Sequence, residues 1–208
     1  DLHSFPTRRS SDLEPGPQNS LTLCRGKFYG TTRSGSKGYS GCLFEFDPVT
    51  NIYTKKIDFD FINASASPED MVEYNGKIYG TTSSAMFSIY DSYIFEYDPA
   101  TNVFSKKFNL RQAFQGAGGH LTIKDGIFYG TTSPGGLYNK GVLFAYNLLS
   151  NSGIKILDLD ENTGYLSAGS FIFKNGKFYG LMNRGGYLDG GVLLYRKSTR
   201  LNSSHRTG

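Results

Sequence analysis

Gly26-Lys27-Phe28-Tyr29-Gly30-Thr31-Thr32 recurs as Gly76-Lys77-Ile78-Tyr79-Gly80-Thr81-Thr82, then as Gly126-Ile127-Phe128-Tyr129-Gly130-Thr131-Thr132. It returns once more as Gly176-Lys177-Phe178-Tyr179-Gly180-Leu181-Met182, and the spacing is 50 residues each time. A second block trails each copy: Leu43-Phe44-Glu45-Phe46-Asp47-Pro48, Ile94-Phe95-Glu96-Tyr97-Asp98-Pro99, Leu143-Phe144-Ala145-Tyr146-Asn147 and Leu193-Leu194-Tyr195. A fixed period of roughly 20–50 residues means a repeat architecture, in which a unit buries its faces only against its neighbours.

Alternation and turn chemistry divide each unit into four strands. The first strand is Leu21–Cys24, Met71–Tyr74, Leu121–Lys124 and Phe171–Lys174. It ends in Arg25-Gly26, Asn75-Gly76, Asp125-Gly126 and Asn175-Gly176. Asn-Gly and Asp-Gly suit the two positive-φ positions of a type I′ hairpin, so the Phe-Tyr-Gly-Thr-Thr strand must fold back antiparallel. A longer loop then leads to the strand centred on Phe44, Phe95 and Phe144. That strand closes in Asp47-Pro48-Val49-Thr50-Asn51 and Asp98-Pro99-Ala100-Thr101-Asn102. Proline pre-sets the second position of a type I turn, and the aspartate accepts from the turn amides. The fourth strand is Ile52–Phe59, Val103–Leu110 and Gly153–Leu159; simple alternation puts Tyr53, Ile57 and Phe59 on one face. No helical period is sustained, and Arg111–Phe114 makes at most one turn. The reading predicts an all-β fold built of propeller blades. The propeller is incomplete, with full blades at about 20–60, 70–110 and 120–160 and a partial fourth at 170–195.

The two ends read differently. His3-Ser4-Phe5-Pro6-Thr7-Arg8-Arg9-Ser10-Ser11-Asp12-Leu13 resembles a translated short-read sequencing adapter. Arg196-Lys197-Ser198-Thr199-Arg200-Leu201-Asn202-Ser203-Ser204-His205 resembles its partner. Residues 1–13 and 196–208 are therefore expected to be non-native and metagenomic in origin, leaving 14–195 as a propeller fragment. The formal charge of +4 lies wholly in 196–208, and Glu14–Tyr195 balances 16 basic against 16 acidic residues. No surplus remains to neutralise phosphates, which argues against a nucleic-acid partner. No apolar run approaches the ~18 residues of a membrane span.

Few residues carry chemistry. Within 14–195, His120 is the single histidine; it stands where other copies have Ser20, Asp70 and Ser170, and is expected as a satisfied loop or rim residue. Spacing alone leaves a Ser-His-Asp arrangement open, but no nucleophile elbow is present. Asp158-Leu159-Asp160-Glu161-Asn162-Thr163-Gly164 has part of a calcium-loop spacing with its glycine one place late, and reads as a polar strand face and exit turn. Cys24, equivalent to Tyr74, Lys124 and Lys174, is expected to face solvent and Cys42 an apolar site, both as free thiols. The paired threonines and Gly30, Gly80, Gly130 and Gly180 read as scaffold. No catalytic residue, metal ligand or cofactor is expected.

The meander sets the short turns on one rim and gathers the longer loops, 33–40, 83–91, 133–140 and 183–190, on the other. Each carries a tyrosine, Tyr39, Tyr90, Tyr138 or Tyr187, and Arg184 lies in the fourth. Variable loops on a rigid scaffold are the usual seat of binding, and tyrosine suits sugars or protein surfaces. The function expected is a non-catalytic module binding a carbohydrate or protein through this rim; the alternatives are a propeller hydrolase or lyase whose active site lies in further blades, or a purely structural spacer.

The repeat resembles the GloVer (Gloeobacter–Verrucomicrobia type) tandem repeat, on Gly-Lys-Phe-Tyr-Gly-Thr-Thr at 26–32, Gly-Lys-Ile-Tyr-Gly-Thr-Thr at 76–82 and Phe-Glu-Tyr-Asp-Pro-Ala-Thr-Asn at 95–102. Its Asp-Pro-x-Thr-Asn turn is also kelch-like. The resemblance implies a propeller-like module of secreted or surface-anchored bacterial proteins, hence an extracellular or cell-surface location. It implies no enzymatic activity and no catalytic residues to carry over.

Overall fold

The structure is a computed structural model that describes residues 17–32, 41–59, 67–83 and 91–197. The first blade is β1 (Pro17–Cys24), β2 (Lys27–Thr32), β3 (Cys42–Asp47) and β4 (Ile52–Asp58). The second is β5 (Ser67–Tyr74), β6 (Lys77–Ser83), β7 (Tyr93–Asp98) and β8 (Val103–Asn109). After the single turn α1 (Leu110–Phe114) comes the third: β9 (Ala117–Lys124), β10 (Ile127–Ser133), β11 (Val142–Asn147) and β12 (Ser152–Asp158). Each is an antiparallel meander paired in chain order. The fourth holds β13 (Tyr165–Ser167), β14 (Ile172–Lys174), β15 (Lys177–Arg184) and β16 (Val192–Lys197). β13 and β14 both pair with β15, as two halves of one interrupted strand, so this blade is three strands wide. β16 runs on through Arg196 and Lys197.

The turns follow their sequences. Arg25-Gly26, Asn75-Gly76, Asp125-Gly126 and Asn175-Gly176 all carry positive φ at both positions, as a type I′ hairpin requires. Asp47 Oδ1 accepts from the Val49 amide at 2.9 Å and the Thr50 amide at 3.2 Å, and Asn147 repeats this toward Leu149 and Ser150. Asn51, Asn102 and Asn151 then take the left-handed conformation that returns the chain.

Three cores lie between successive blades. Tyr29 and Leu43 of blade one meet Ile78, Phe95 and Tyr97 of blade two. Tyr79 and Ile94 meet Phe128, Phe144 and Tyr146. Tyr129 and Leu143 meet Phe171 and Phe178. Each interior blade thus buries a forward face against its successor and a rear face against its predecessor. Gly30, Gly80 and Gly130 lie opposite Phe44, Phe95 and Phe144. A Cβ at Gly80 would stand 2.4 Å from Phe95 Cζ, so the glycine makes room for a ring lying across its own sheet. In blade four the ring over Gly180 comes from Phe171 instead.

Two expectations fail here. Tyr53 does not share a face with Ile57, because the pairing with β3 slips between Leu43 and Phe44 and leaves Lys56 as an extra residue. Tyr53 therefore packs on Phe44, ring centroids 4.9 Å apart, while Ile57 packs in the core shared with blade two. Cys24 is buried rather than solvent-facing. It belongs to the core between blades one and two, with Ile78, Phe95 and Tyr97 of the next blade; the lysines at 124 and 174 mark a difference in neighbours, not in direction. Both cysteines are free thiols.

Candidate functional site

Among the described residues, two places gather functional groups. One is the centre of the array. β1 lies against β5 and β5 against β9, so the first strands are innermost. The equivalent positions 70, 120 and 170 converge there from three blades. Asp70 Oδ2 lies 3.3 Å from His120 Nδ1 and accepts from Ser170 Oγ at 3.2 Å and the Leu121 amide at 3.0 Å. Asp70 Oδ1 accepts from the Met71 amide at 2.9 Å. The hydrogen bond to Asp70 outweighs burial and holds the His120 imidazole above its usual range. His120 is thus satisfied, but within strand β9 at the axis rather than in a loop, since the first strands begin earlier than alternation alone shows. The serine and histidine share one carboxylate oxygen, and Ser170 donates to Asp70. This is a latch across three blades, not a relay from hydroxyl to imidazole to carboxylate.

The other place is the long-loop rim. Loop amides reach the blade-to-blade connections there, Gly136 to the Phe114 carbonyl and Gly186 to that of Glu161 at 2.7 Å. The loops of blades three and four share one framework. Gly141 donates to the Gly135 carbonyl at 2.8 Å, and Gly191 to that of Gly185 at 3.0 Å. The Asn139 side chain accepts from the Gly135 amide, and Asp189 from that of Gly185. Gly135, Gly136, Gly185 and Gly186 all have positive φ, which explains why each loop opens on a glycine pair. Each framework carries an adjacent aliphatic–aromatic pair into solvent. Leu137 and Tyr138 are 74 % and 54 % exposed, and Tyr187 and Leu188 are 90 % and 84 % exposed. Their order is reversed between the two loops. Tyr39 and Tyr90 lie outside the described residues.

Arg184 braces the fourth loop, its Nη1 2.6 Å from Asp189 Oδ2. The Gly185 amide and then the Arg184 guanidinium hold the Asp189 carboxyl below the usual carboxylate range. Beside it Lys140 reaches Glu161 at 2.6 Å and lies 4.1 Å from the centre of the Tyr165 ring. The Asp158–Gly164 segment is an exit turn with its carboxylates committed. Asp158 accepts from the Leu137 amide and pairs with Lys155, while Asp160 accepts from the Asn162 and Thr163 amides. The threonines act within the scaffold: Thr32, Thr82 and Thr132 accept from the amides of Cys42, Tyr93 and Val142 at 3.0–3.1 Å.

Sequence reasoning aligned positions 20, 70, 120 and 170 without bringing them together. In a ring, residues one period apart on the innermost strand must face a common centre, and that signal was available. It also passed over the shared Gly-Gly-x-x-Asn/Asp-x-Gly-Val frame of the third and fourth loops.

No family model matches the chain, and no curated protein matches it. Among solved structures it is similar to the crystal structure of TolB from Acinetobacter baumannii, with a TM-score of 0.54 and 14 % identity. The match covers 86 % of this chain and 43 % of TolB, so the chain spans less than half of TolB's length. At that identity the likeness bears on the fold, a β-propeller.

Proposed function

We propose that this chain is a non-catalytic propeller module of an exported bacterial protein, and that it binds a protein surface through its long-loop rim. The observation carrying this is the pair of stiff loops that hold Leu137–Tyr138 and Tyr187–Leu188 out in water. Each loop leaves an adjacent pair of large apolar side chains in water, and exposed apolar surface of this kind on stiff loops supports an interaction surface. Loops closed by their own hydrogen bonds lose little entropy on binding, and tyrosine adds area at few rotamers.

A glycan reading has one feature in its favour: the exposed Tyr187 ring lies three residues from Arg184, whose ion pair with Asp189 offers donors and acceptors beside an aromatic face. Partners retained on the immobilised chain, purified and re-bound, test both readings. Alanine at Leu137, Tyr138, Tyr187 and Leu188 together is expected to weaken a protein partner at least tenfold. Unchanged affinity refutes the rim reading. Retention on immobilised glycans that is lost with Arg184→Ala and Tyr187→Ala assigns the carbohydrate reading instead.

A further inference from the structure

Two of the hairpin tips spell the same tripeptide, Asn75-Gly76-Lys77 and Asn175-Gly176-Lys177. Asparagine before glycine is prone to lose its side-chain amide, because glycine leaves its own nitrogen sterically open to attack the asparagine Cγ. In a type I′ turn both residues are left-handed, which turns that nitrogen away from the side chain, so attack waits on the tip opening. The two tips differ in what holds them shut. The Gly76 amide donates to Glu73 Oε1 at 2.7 Å, and the Gly76 carbonyl accepts from Arg25 Nε of the preceding blade at 2.9 Å. Neither clamp can form at the fourth tip. The equivalent of Glu73 is Phe173, which packs beside Tyr129 and Phe178. The equivalent of Arg25 is Asp125, an acceptor paired with its neighbour Lys124 at 2.6 Å. A Cβ at Gly76 would lie 2.9 Å from the Arg25 guanidinium, whereas among the described residues one at Gly176 would meet nothing within 4 Å. Cover for a tip comes from the blade before it, and blade three is in place, so these side chains set the difference.

We propose that Asn175 is a site of self-modification, converted by its own backbone and water to aspartate and isoaspartate in the folded chain, while Asn75 is held back. The Gly176 nitrogen bonds to Asn175 Cγ as the Cγ–Nδ2 bond breaks, and Nδ2 leaves as ammonia, taking the proton that the glycine nitrogen gave up. Water then opens the cyclic imide, its hydroxyl going to one carbonyl carbon and its remaining proton to the ring nitrogen. Nothing is oxidised or reduced. Opening at Cγ gives isoaspartate's isomer, aspartate; opening at the main-chain carbonyl gives isoaspartate, which threads the chain through the side chain and lengthens the tip by one methylene. A lengthened tip no longer fits a two-residue turn. Because β14 sets only Ile172, Phe173 and Lys174 against β15, the change loosens the inner strand of blade four. Both tips lie on the short-turn rim, so the modification stands independently of the binding function.

Peptide mapping by mass spectrometry, on the whole chain held at mildly alkaline pH, tests it. Conversion at Asn175 is expected to run roughly tenfold faster than at Asn75, where the Glu73 and Arg25 bonds must break first. In concentrated urea the two rates should meet, because the tripeptides are identical. Glu73 and Arg25 are both exposed, so Glu73→Ala with Arg25→Ala is expected to keep the fold and bring Asn75 up to the Asn175 rate, leaving Asn175 unchanged. Equal rates in the folded chain, a faster Asn75, a difference that persists in urea, or a double variant in which Asn75 stays slow would overturn the proposal.

Discussion

Glu96 carries the ionic cluster at the packing between blades two and three. Its carboxylate accepts from Tyr79 at 2.7 Å, pairs with Lys77 at 3.0 Å and lies 3.4 Å from Lys107. Burial alone would raise the Glu96 carboxyl; the Tyr79 and Lys77 hydrogen bonds and the Lys107 charge outweigh it and hold it below the usual range. Glu96→Ala strands the buried Tyr79 hydroxyl, while both lysines stay near a third exposed and turn to water. The hydroxyl is then the main cost, about 2 kcal/mol, a fall in Tm of roughly 4–8 °C for a chain of this size. Blade three shows the alternative. The equivalents of Lys77, Glu96 and Lys107 are Ile127, Ala145 and Ile156, and Phe173 of the following blade fills beside Tyr129 at 5.1 Å. Transplanting that set as Lys77→Ile, Glu96→Ala, Lys107→Ile and Ile123→Phe removes both lysines and the glutamate together, leaving Asp98, 3.7 Å from Lys77 in the parent, on its turn amide at Ala100. Replacing the ionic groups together by apolar ones of matched volume is close to neutral, so the fourfold variant should be more stable than Glu96→Ala and fall short of the parent only by the Tyr79 hydroxyl, which still lacks its acceptor. Differential scanning calorimetry of parent, single and fourfold variants decides it. A fourfold variant no more stable than Glu96→Ala would refute the reasoning that the two clusters are interchangeable solutions.

Other substitutions and conditions probe the remaining features. Gly80→Ala sets a Cβ 2.4 Å from Phe95 Cζ and 2.5 Å from the Asp70 carbonyl oxygen, and should cost about 1–3 kcal/mol by overpacking. Gly169→Ala, with nothing within 4 Å, should leave urea denaturation unchanged. The folded state raises the His120 value, so its contribution is complete below the ordinary histidine value and is lost as pH rises through the folded value. The pH slope of Tm across that window should flatten in His120→Gln, and an unchanged slope would remove the latch from the account. Cys24 and Cys42 are buried, and burial raises the Cys24 thiol further; neither should react with a thiol reagent until the chain unfolds, and prompt labelling of one thiol would contradict the inter-blade placement of Cys24.

How far the fold could be read from the residues depended on the range of the interaction that decides each feature. Asn75-Gly76 makes its hairpin because two adjacent residues tolerate positive φ, and Asp98-Pro99 its turn because one carboxylate reaches amides two residues on; both are decided locally and repeat every 50 residues. Tyr53 was misplaced because a single extra residue at Lys56 reverses every direction beyond it, and nothing in the local pattern announces the bulge. Cys24 was misplaced for the opposite reason. Its direction was regular, but comparison with Lys124 and Lys174 assumed that equivalent positions have equivalent neighbours. They do not, since the inter-blade positions change in concert: Lys77, Glu96 and Lys107 in one interface become Ile127, Ala145 and Ile156 in the next. A repeat therefore constrains the backbone far more tightly than the polarity of any one site, because an interface needs only that its members match one another. The axial latch obeys the same logic. Asp70, His120 and Ser170 differ in kind, and a search for a recurring residue passes over them; what recurs is the place, and one carboxylate there satisfies partners from two other blades.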